Sequence, residues 1–294
     1  MMNLKEALTK FEDNLKLKNR AGATIIAYKK DIEQLLDHLF KLKVVNVEEV
    51  TSEHLNGFMK MLSKGGYTAK SISRKTNSTK TFFKYLFDEE KAIKSNPAEL
   101  VSHPKLSSKA PRILSKIEYG ALRDAVKSDI RTTAIVEILL QAGLRISELS
   151  NIRLTDLVIP KDKEKEQGTL IVRAQGSLEE REVPLNSSVL KAISIYLEIR
   201  PNAKKDYFFV TKTGNQLLVR NIRATLGKTF KEIGLIDVKV NDLRHTFIAH
   251  HLQKGAPLYF VSKIAGHKRL STTEKYLEYI KVNQKENNFK LEEL

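Results

Sequence analysis

Residues Gly168–Leu185 read GTLIVRAQGSLEEREVPL. Runs rich in β-branched and aliphatic residues flank a polar turn that contains Gly176, and that arrangement predicts a β-hairpin. It is the clearest strand signal in the chain. On either side of it the apolar residues recur with the 3.6-residue period of amphipathic helices. Toward the C-terminus, helices are expected over SSVLKAISIYLEIR, VRNIRATLGKTFKEIG, DLRHTFIAHHLQKG and PLYFVSKIAG, and toward the N-terminus over about 115–128 and 130–142. The expected fold class is mainly α with a small antiparallel β-sheet.

A chain of 294 residues is long for one hydrophobic core, so two domains are the natural expectation. The stretch LVSHPKLSSKAPRILS carries Pro104 and Pro111 with small polar residues between them, and it reads as an extended linker. It divides the chain into a helical domain at 1–103, a linker at 104–111 and a second domain at 112–294. The first domain shows four helical patterns. Residues 3–18 place Leu4, Ala7, Leu8, Phe11 and Leu15 on one stripe. The second pattern has Thr24 as its cap and Ile25, Tyr28, Ile32, Leu35, Leu36 and Leu39 along one face. A third follows VTSEHLNGFMKML, and a fourth covers TAKSISRKTNSTKTFFKYLFDEE. In the fourth, Ile72, Thr79, Phe83 and Leu86 face inward, while Lys70, Arg74, Lys80 and Lys84 spread over the outer side.

Lys and Arg number 51 against 35 Asp and Glu, a net charge of +16. Before residue 110 the chain holds 20 basic and 13 acidic residues, and from there on 31 and 22, so both halves are basic. Two basic domains point to a shared polyanion, and nucleic acid is the obvious one. There is no cysteine, which excludes disulfides, Cys-based zinc sites and thiol chemistry. No apolar run reaches the ~18–20 residues that span a bilayer. The first residues, MMNLKEALTKFEDNL, mix acids and bases on an amphipathic pattern and lack the layout of a signal peptide. A cytoplasmic protein without a membrane partner is the expectation.

Three segments carry residues suited to phosphate chemistry. LLQAGLRISELSNI places Arg145 just after a glycine able to end a helix. VNDLRHTFIAHHL carries Arg244, and IAGHKRLSTTEKY carries His267 and Tyr276. Taken singly, each has a plain structural reading: a surface ion pair, a helix cap, a core tyrosine. In combination, GLRISEL, LRHTF…HHL and AGH…STTEKY resemble the tyrosine recombinase (phage-type integrase) family, close to the Xer recombinases, over nearly the whole chain.

The resemblance implies a SAM-like helical core-binding domain followed by a catalytic domain, closing on duplex DNA as a clamp. It implies a site-specific recombinase that is a monomer in solution and a homo- or hetero-tetramer on DNA. Strands would be exchanged through a Holliday junction and a 3′-phosphotyrosyl intermediate, with no cofactor and no metal. Tyr276 takes the place of the nucleophile, with Tyr279 one turn later. Arg145 and Arg244 match the two catalytic arginines, whose guanidiniums grip the non-bridging oxygens. His267 matches the position that hydrogen-bonds the phosphate. A phenol must lose its proton to attack, and nearby cations favour the phenolate. Candidate DNA contacts in the first domain are Thr24, Tyr28, Lys70, Arg74, Lys80 and Lys84. The tail beyond about residue 281 is expected to dock on a neighbouring protomer.

Two positions depart from the family pattern. Asn241 stands where a histidine usually precedes the second arginine by three residues. Gln175 stands where the hairpin turn carries the lysine that protonates the leaving 5′-oxygen. An amide cannot exchange a proton, so a slow enzyme is one reading and a DNA-binding partner subunit without catalysis is the alternative. A third reading, a type IB topoisomerase-like enzyme, shares the chemistry but not the two-domain layout. Lys163 and Lys165, just before the hairpin, are candidate stand-ins for the missing lysine. His245 adjoins Arg244, but a neighbour on a helix is expected to face elsewhere.

Overall fold

A computed structural model describes residues 1–106, 110–161, 167–176 and 178–280. The chain separates into two compact units, Met1–Ser108 and Lys109–Leu294.

The first unit is helical: α1 (Leu4–Leu17), α2 (Gly22–Lys41), α3 (Ser52–Lys64) and α4 (Ala69–Asp88). Asn3 caps α1 by accepting from the Lys5 N–H, and Thr51 and Thr68 cap α3 and α4. The apolar stripes read from the sequence meet in one core, with Phe11, Phe58, Phe82 and Phe83 fully buried. The edge of Phe82 meets both the Phe11 and Phe83 rings, at centroid distances of 5.3 and 5.2 Å. Within this core, Asp31 of α2 is buried and accepts from Lys75 Nζ at 2.8 Å, from Ser78 Oγ at 2.8 Å and from Arg74. A buried carboxylate needs such partners, and these three fix the register of α2 against α4.

One helix start differs from the reading above. The N-cap of α2 is Ala21, whose carbonyl accepts from the Thr24 N–H at 2.8 Å, and Thr24 lies in the first turn rather than at the cap. Gly22 and Ala23 are small enough to enter the helix ahead of it.

The second unit contains α5 (Lys116–Val126), α6 (Ile130–Gln141), α7 (Ile146–Asn151), β1 (Leu157–Val158), β2 (Gly168–Val172), β3 (Arg181–Leu185), α8 (Ser187–Ile199), α9 (Val219–Glu232), α10 (Val240–Gln253), α11 (Leu258–Ala265) and α12 (Ser271–Glu274). A 3₁₀ turn, Lys275–Tyr279, follows directly. The predicted hairpin is present, with Leu170 opposite Val183 and Gly168 opposite Leu185. Leu170, Val172, Val183 and Leu185 are buried, the alternation of a sheet with one face on the core. Strand β1 adds a third member that the sequence did not announce, in the antiparallel order β1-β2-β3. Edge position lets β3 carry Pro184 without losing a ladder bond.

Helix α6 is the spine of this unit. Its residues Ala134–Leu140 are buried, and it packs on α8 and α10. It ends at Gln141 with Ala142 as its C-cap, after which Gly143 takes φ 61°. A Cβ at Gly143 would lie 2.2 Å from Cδ1 of Phe247 on α10, so only glycine brings the α6–α7 connection this close to α10.

Gly143→Ala therefore combines backbone strain with a steric clash. Gly176 at the hairpin tip has the same φ of 61° but open space around it. We expect Gly176→Ala to cost only the strain, about 1–2 kcal/mol. Gly143→Ala adds a clash of about 1–3 kcal/mol. Denaturant unfolding of the two variants measures the difference, and equal losses would contradict the packing described.

Candidate active site

The site is built where α11 stops. Its C-cap, Gly266, is left-handed at φ 67° and ψ 44°, and the His267 N–H returns to the Ser262 carbonyl at 3.0 Å. The last carbonyls of a helix have no intrahelical partner. Here arginines supply the donors. Arg181 Nε donates to the Ile264 carbonyl at 2.7 Å. Arg244 Nη2 donates to Ala265 at 2.6 Å, and Arg145 Nη2 donates to Gly266 at 2.7 Å. Arg145 Nη1 also approaches the Ala265 carbonyl at 3.4 Å. A Cβ at Gly266 would lie 2.7 Å from Arg181 Nη1, so this glycine is required for the close approach as well as for the turn.

One carboxylate serves this arginine cluster directly. Glu148 of α7 is buried and accepts from both terminal nitrogens of Arg181 at 2.8 and 2.9 Å. It also accepts from Nη1 and the backbone N–H of Arg145, each at 2.8 Å. Burial pushes the Glu148 carboxyl up, but the bonds and charge of Arg181 and then of Arg145 outweigh it and hold the group below the ordinary carboxylate range. Arg244, only 4% exposed, meets carbonyls instead: Ala265 and, through Nη1, Gly143. Burial and the neighbouring Arg145 bring its pKa down to about 10, so it remains charged at neutral pH.

Tyr276 lies in the 3₁₀ turn and is 6% exposed. Its ring is stacked on His267 at 6.4 Å between centroids and tilted against His245 at 5.7 Å. The hydroxyl is 2.5 Å from Nδ1 of His245, whose Nε2 is 2.8 Å from the Asn241 amide. Two expectations are corrected here. His245 does not face away: positions 241 and 245 share one side of α10, that side meets Tyr276, and the long Arg244 side chain reaches the carbonyls from the adjacent side. Nearby cations also do not prevail at the phenol. Arg244 pulls the Tyr276 pKa down, but burial pushes it up further, and the group lies above the ordinary tyrosine value.

His267 Nδ1 is 2.8 Å from Oγ1 of buried Thr273. Burial, then Arg244 and Arg145, lower its pKa to about 4, so the ring is neutral at pH 7. Burial also lowers His245, with Asp242 opposing and Arg244 adding.

The structure thus brings together Arg145, Arg244, His267, Tyr276 and Asn241. Gln175 stands apart from this network: it is exposed at the hairpin tip, where its backbone pairs with Leu178. Lys163, Lys165 and the tail from residue 281 fall outside the described residues. In the first unit, Tyr28 is half-buried against Phe11 at 6.3 Å, and Arg74 is held by Asp31. Lys80 donates to the Glu99 carbonyl at 3.1 Å, Lys84 lies 3.9 Å from Asp88, and Lys70 is exposed. Two participants, Glu148 and Arg181, escaped the sequence reading, and a third, His245, was named there but set aside. Glu148 was signalled by its place three residues after Arg145, a capping-box spacing. His245 was signalled by its i,i+4 relation to Asn241. Arg181 had no local signal. Among the described residues, no group of three or more His, Cys, Asp or Glu is placed to hold a metal, and no helix is long and apolar enough to cross a membrane.

Comparison with known proteins places these motifs in context. Residues 108–282 match the model of the phage integrase family, and residues 8–90 match that of the phage integrase N-terminal SAM-like domain. Tyrosine recombinase XerC of Bacillus licheniformis is 31% identical over 291 residues, covering 94% of this chain and 92% of the relative. That of Thermodesulfovibrio yellowstonii is 32% identical over 290 residues, again covering 94% and 92%. The crystal structure of XerH site-specific recombinase bound to palindromic difH substrate superposes with a TM-score of 0.75 at 18% identity, over 93% of this chain and 81% of that one, a likeness of fold.

The Glu148 network makes a stability prediction. Glu148→Gln leaves Arg181 buried without its counter-charge, and the expected loss is about 3–5 kcal/mol at pH 7. A carboxyl whose pKa is lowered by folding stabilises above its unfolded pKa and ceases to as pH falls through the folded one. The gap between wild type and variant should therefore narrow as pH drops below the ordinary carboxylate range. Denaturant midpoints from pH 7 to pH 3 measure it, and a constant or absent gap would contradict the assignment.

Proposed function

The chain belongs to the phage integrase family, and we propose that it is a site-specific recombinase that cuts and rejoins DNA strands through a covalent link to Tyr276. The observation that carries this reading is the concentration of three guanidiniums around a single directly paired carboxylate, with a tyrosine hydroxyl beside them. Such a site is short of negative charge, and a phosphodiester supplies it.

Arg145 is the more open of the two clamp residues and Arg244 the more enclosed. Both guanidiniums stay charged through the reaction and stabilise the oxygens on which charge accumulates in the transition state. Neutral His267, with Nδ1 facing Thr273, offers its Nε2 edge to a phosphate oxygen. Tyr276 Oη attacks phosphorus, the bond to the 5′-oxygen breaks, and a 3′-phosphotyrosyl ester forms. One phosphoester replaces another, so the strand is rejoined by the reverse step without a nucleotide cofactor. Gln175 cannot protonate the departing 5′-oxygen, which takes its proton from water.

The partner is double-stranded DNA. Exposed Lys263, Lys268 and Arg269 flank the site and suit the adjoining backbone phosphates. In the first unit, Lys70, Arg74 and Lys84 on α4 are the exposed candidate contacts, with Lys80 beside them and Thr24 and Tyr28 on α2. Exchange between two sites requires four strand cuts. Four protomers, monomeric before they meet DNA, supply one nucleophile each and pass through a Holliday junction.

The test uses nicked duplexes drawn from sequences that the protein enriches from a random library, so that a cleaved strand cannot be rejoined. The expected result is a protein–DNA adduct that maps by peptide mass to Tyr276 and is absent in Tyr276→Phe. An adduct on Tyr279, or one that survives the substitution, overturns the assignment.

Gln175 makes a separate prediction. Sulfur at the bridging 5′ position departs without a proton, so such a substrate should be cleaved faster than ordinary DNA by about the 10²–10⁴-fold that general-acid help provides. Gln175→Lys should speed ordinary DNA alone. Equal rates on both substrates in the unchanged protein would mean that another residue delivers the proton.

A further inference from the structure

Tyr276 is buried and its phenol is harder to ionise than in water, yet it must reach phosphorus as an anion. Arg145, Arg181 and Arg244 are donors, and an arginine does not accept a proton at working pH. His267 has its Nδ1 engaged with Thr273, and its ring is stacked parallel to the tyrosine with an interplanar angle of 19°, away from an in-plane bond to the hydroxyl. Asn241, at the position where the sequence pattern leads one to look for a proton acceptor, cannot exchange one. The group that touches the hydroxyl is His245, at 2.5 Å through Nδ1.

Resting on the proposed reaction, we propose that His245 is the catalytic residue that takes the proton from Tyr276, and that Asn241 is a positioning residue that holds the imidazole for this step. The two stand one turn apart on the same side of α10. That helix is fixed at its start, where Asp242 accepts from the Lys239 N–H at 2.7 Å. A proton function lost at position 241 is thereby available at position 245, four residues on.

The Oη–H bond of Tyr276 breaks and its proton passes to His245 Nδ1. The oxygen lone pair forms the bond to phosphorus, and the electrons of the P–O5′ bond leave with the 5′-oxygen, which is protonated by water. On rejoining, the 5′-hydroxyl attacks phosphorus and returns its proton to the hydroxide left by water, while the P–O bond to Tyr276 breaks and the tyrosyl oxygen recovers its proton from His245. To accept at Nδ1 the ring carries its hydrogen on Nε2, and Asn241 then presents its amide oxygen to Nε2–H. Asn241 Nδ2 lies 2.8 Å from Nε2 in this structure, and a half-turn of the amide puts its oxygen at the same place, where it accepts from Nε2–H both before and after the ring takes the phenol proton at Nδ1.

The charges around the imidazole keep it neutral before the step. On its own helix it meets Asp242, which favours the charged ring, and Arg244, which disfavours it. From the other elements it faces His267 and the Tyr276 hydroxyl. Burial lowers its pKa, so at neutral pH the ring is unprotonated and ready to accept.

The experiment measures single-turnover adduct formation from pH 5 to 9, on the enriched nicked duplexes, for wild type, His245→Gln and Asn241→Asp. DNA affinity is measured alongside as the control for folding. Wild type should be independent of pH above the His245 titration and fall below it. His245→Gln should be slower at pH 7 by about 10²–10³-fold. Its rate should climb with pH as solvent ionises the phenol, with affinity retained. Asn241→Asp places a carboxylate against Nε2, raises the imidazole pKa and should move the acid limb to higher pH. His245→Gln reacting at the wild-type rate, or slowing with an unchanged pH profile, overturns the proposal and leaves the recombinase reading intact. No adduct from wild type on any enriched duplex would remove the reaction itself, and this step with it.

Discussion

Helix α11 stops at Ala265 because Gly266 turns left-handed, and the carbonyls left at its end are the acceptors that hold Arg145, Arg181 and Arg244. The negative end of a helix dipole favours cations. It also costs little to place guanidiniums against carbonyls that would otherwise lack partners. The arrangement draws residues from α7, β3, α10 and α11 to one point, so the local end of one helix sets the geometry of the whole site. Glu148 completes it by tying Arg145 to Arg181, and because it offsets only part of the charge, room remains for an anion.

The nucleophile candidate is held in the opposite sense. Tyr276 is packed among apolar neighbours and two imidazoles, both neutral at pH 7, and burial raises its phenol. A hydroxyl in such a place is inert until charge arrives to stabilise its anion and a base stands ready for its proton. Arg244 links the two halves of the problem. It is enclosed, close enough to pull the Tyr276 pKa down, and anchored on the same Ala265 carbonyl that Arg145 approaches.

Much of this was legible in the sequence because periodicity reports burial. The stripes of α1, α2 and α4 and the alternation of β2 and β3 became core faces. Arg145, Arg244, His267 and Tyr276 were singled out together because several short motifs in a fixed order carry more information than any one of them. What failed to show depends on tertiary distance. Two residues of β1 are too few to display a period. Arg181 enters the site only because β3 runs beside α11. His245 was set aside by counting directions around a helix, which ignores how far an arginine reaches and how a 3₁₀ turn can close on the neighbouring face. The effect of cations on Tyr276 was read as local charge alone, and burial, which no short motif reports, outweighed it.

The central claim is that the α11 carbonyls pre-set Arg145 and Arg244 as a clamp for the phosphoryl group in transit, rather than as general DNA-binding charge. Arg145→Lys tests it most directly, since lysine keeps the charge and loses the two-pronged geometry. The quantities to measure together are the single-turnover cleavage rate of saturated enzyme and the DNA affinity with its salt dependence. The account predicts that the rate falls by about 10²–10³-fold while affinity and salt slope stay at their wild-type values. Weakened affinity with an undiminished rate on bound DNA would contradict it.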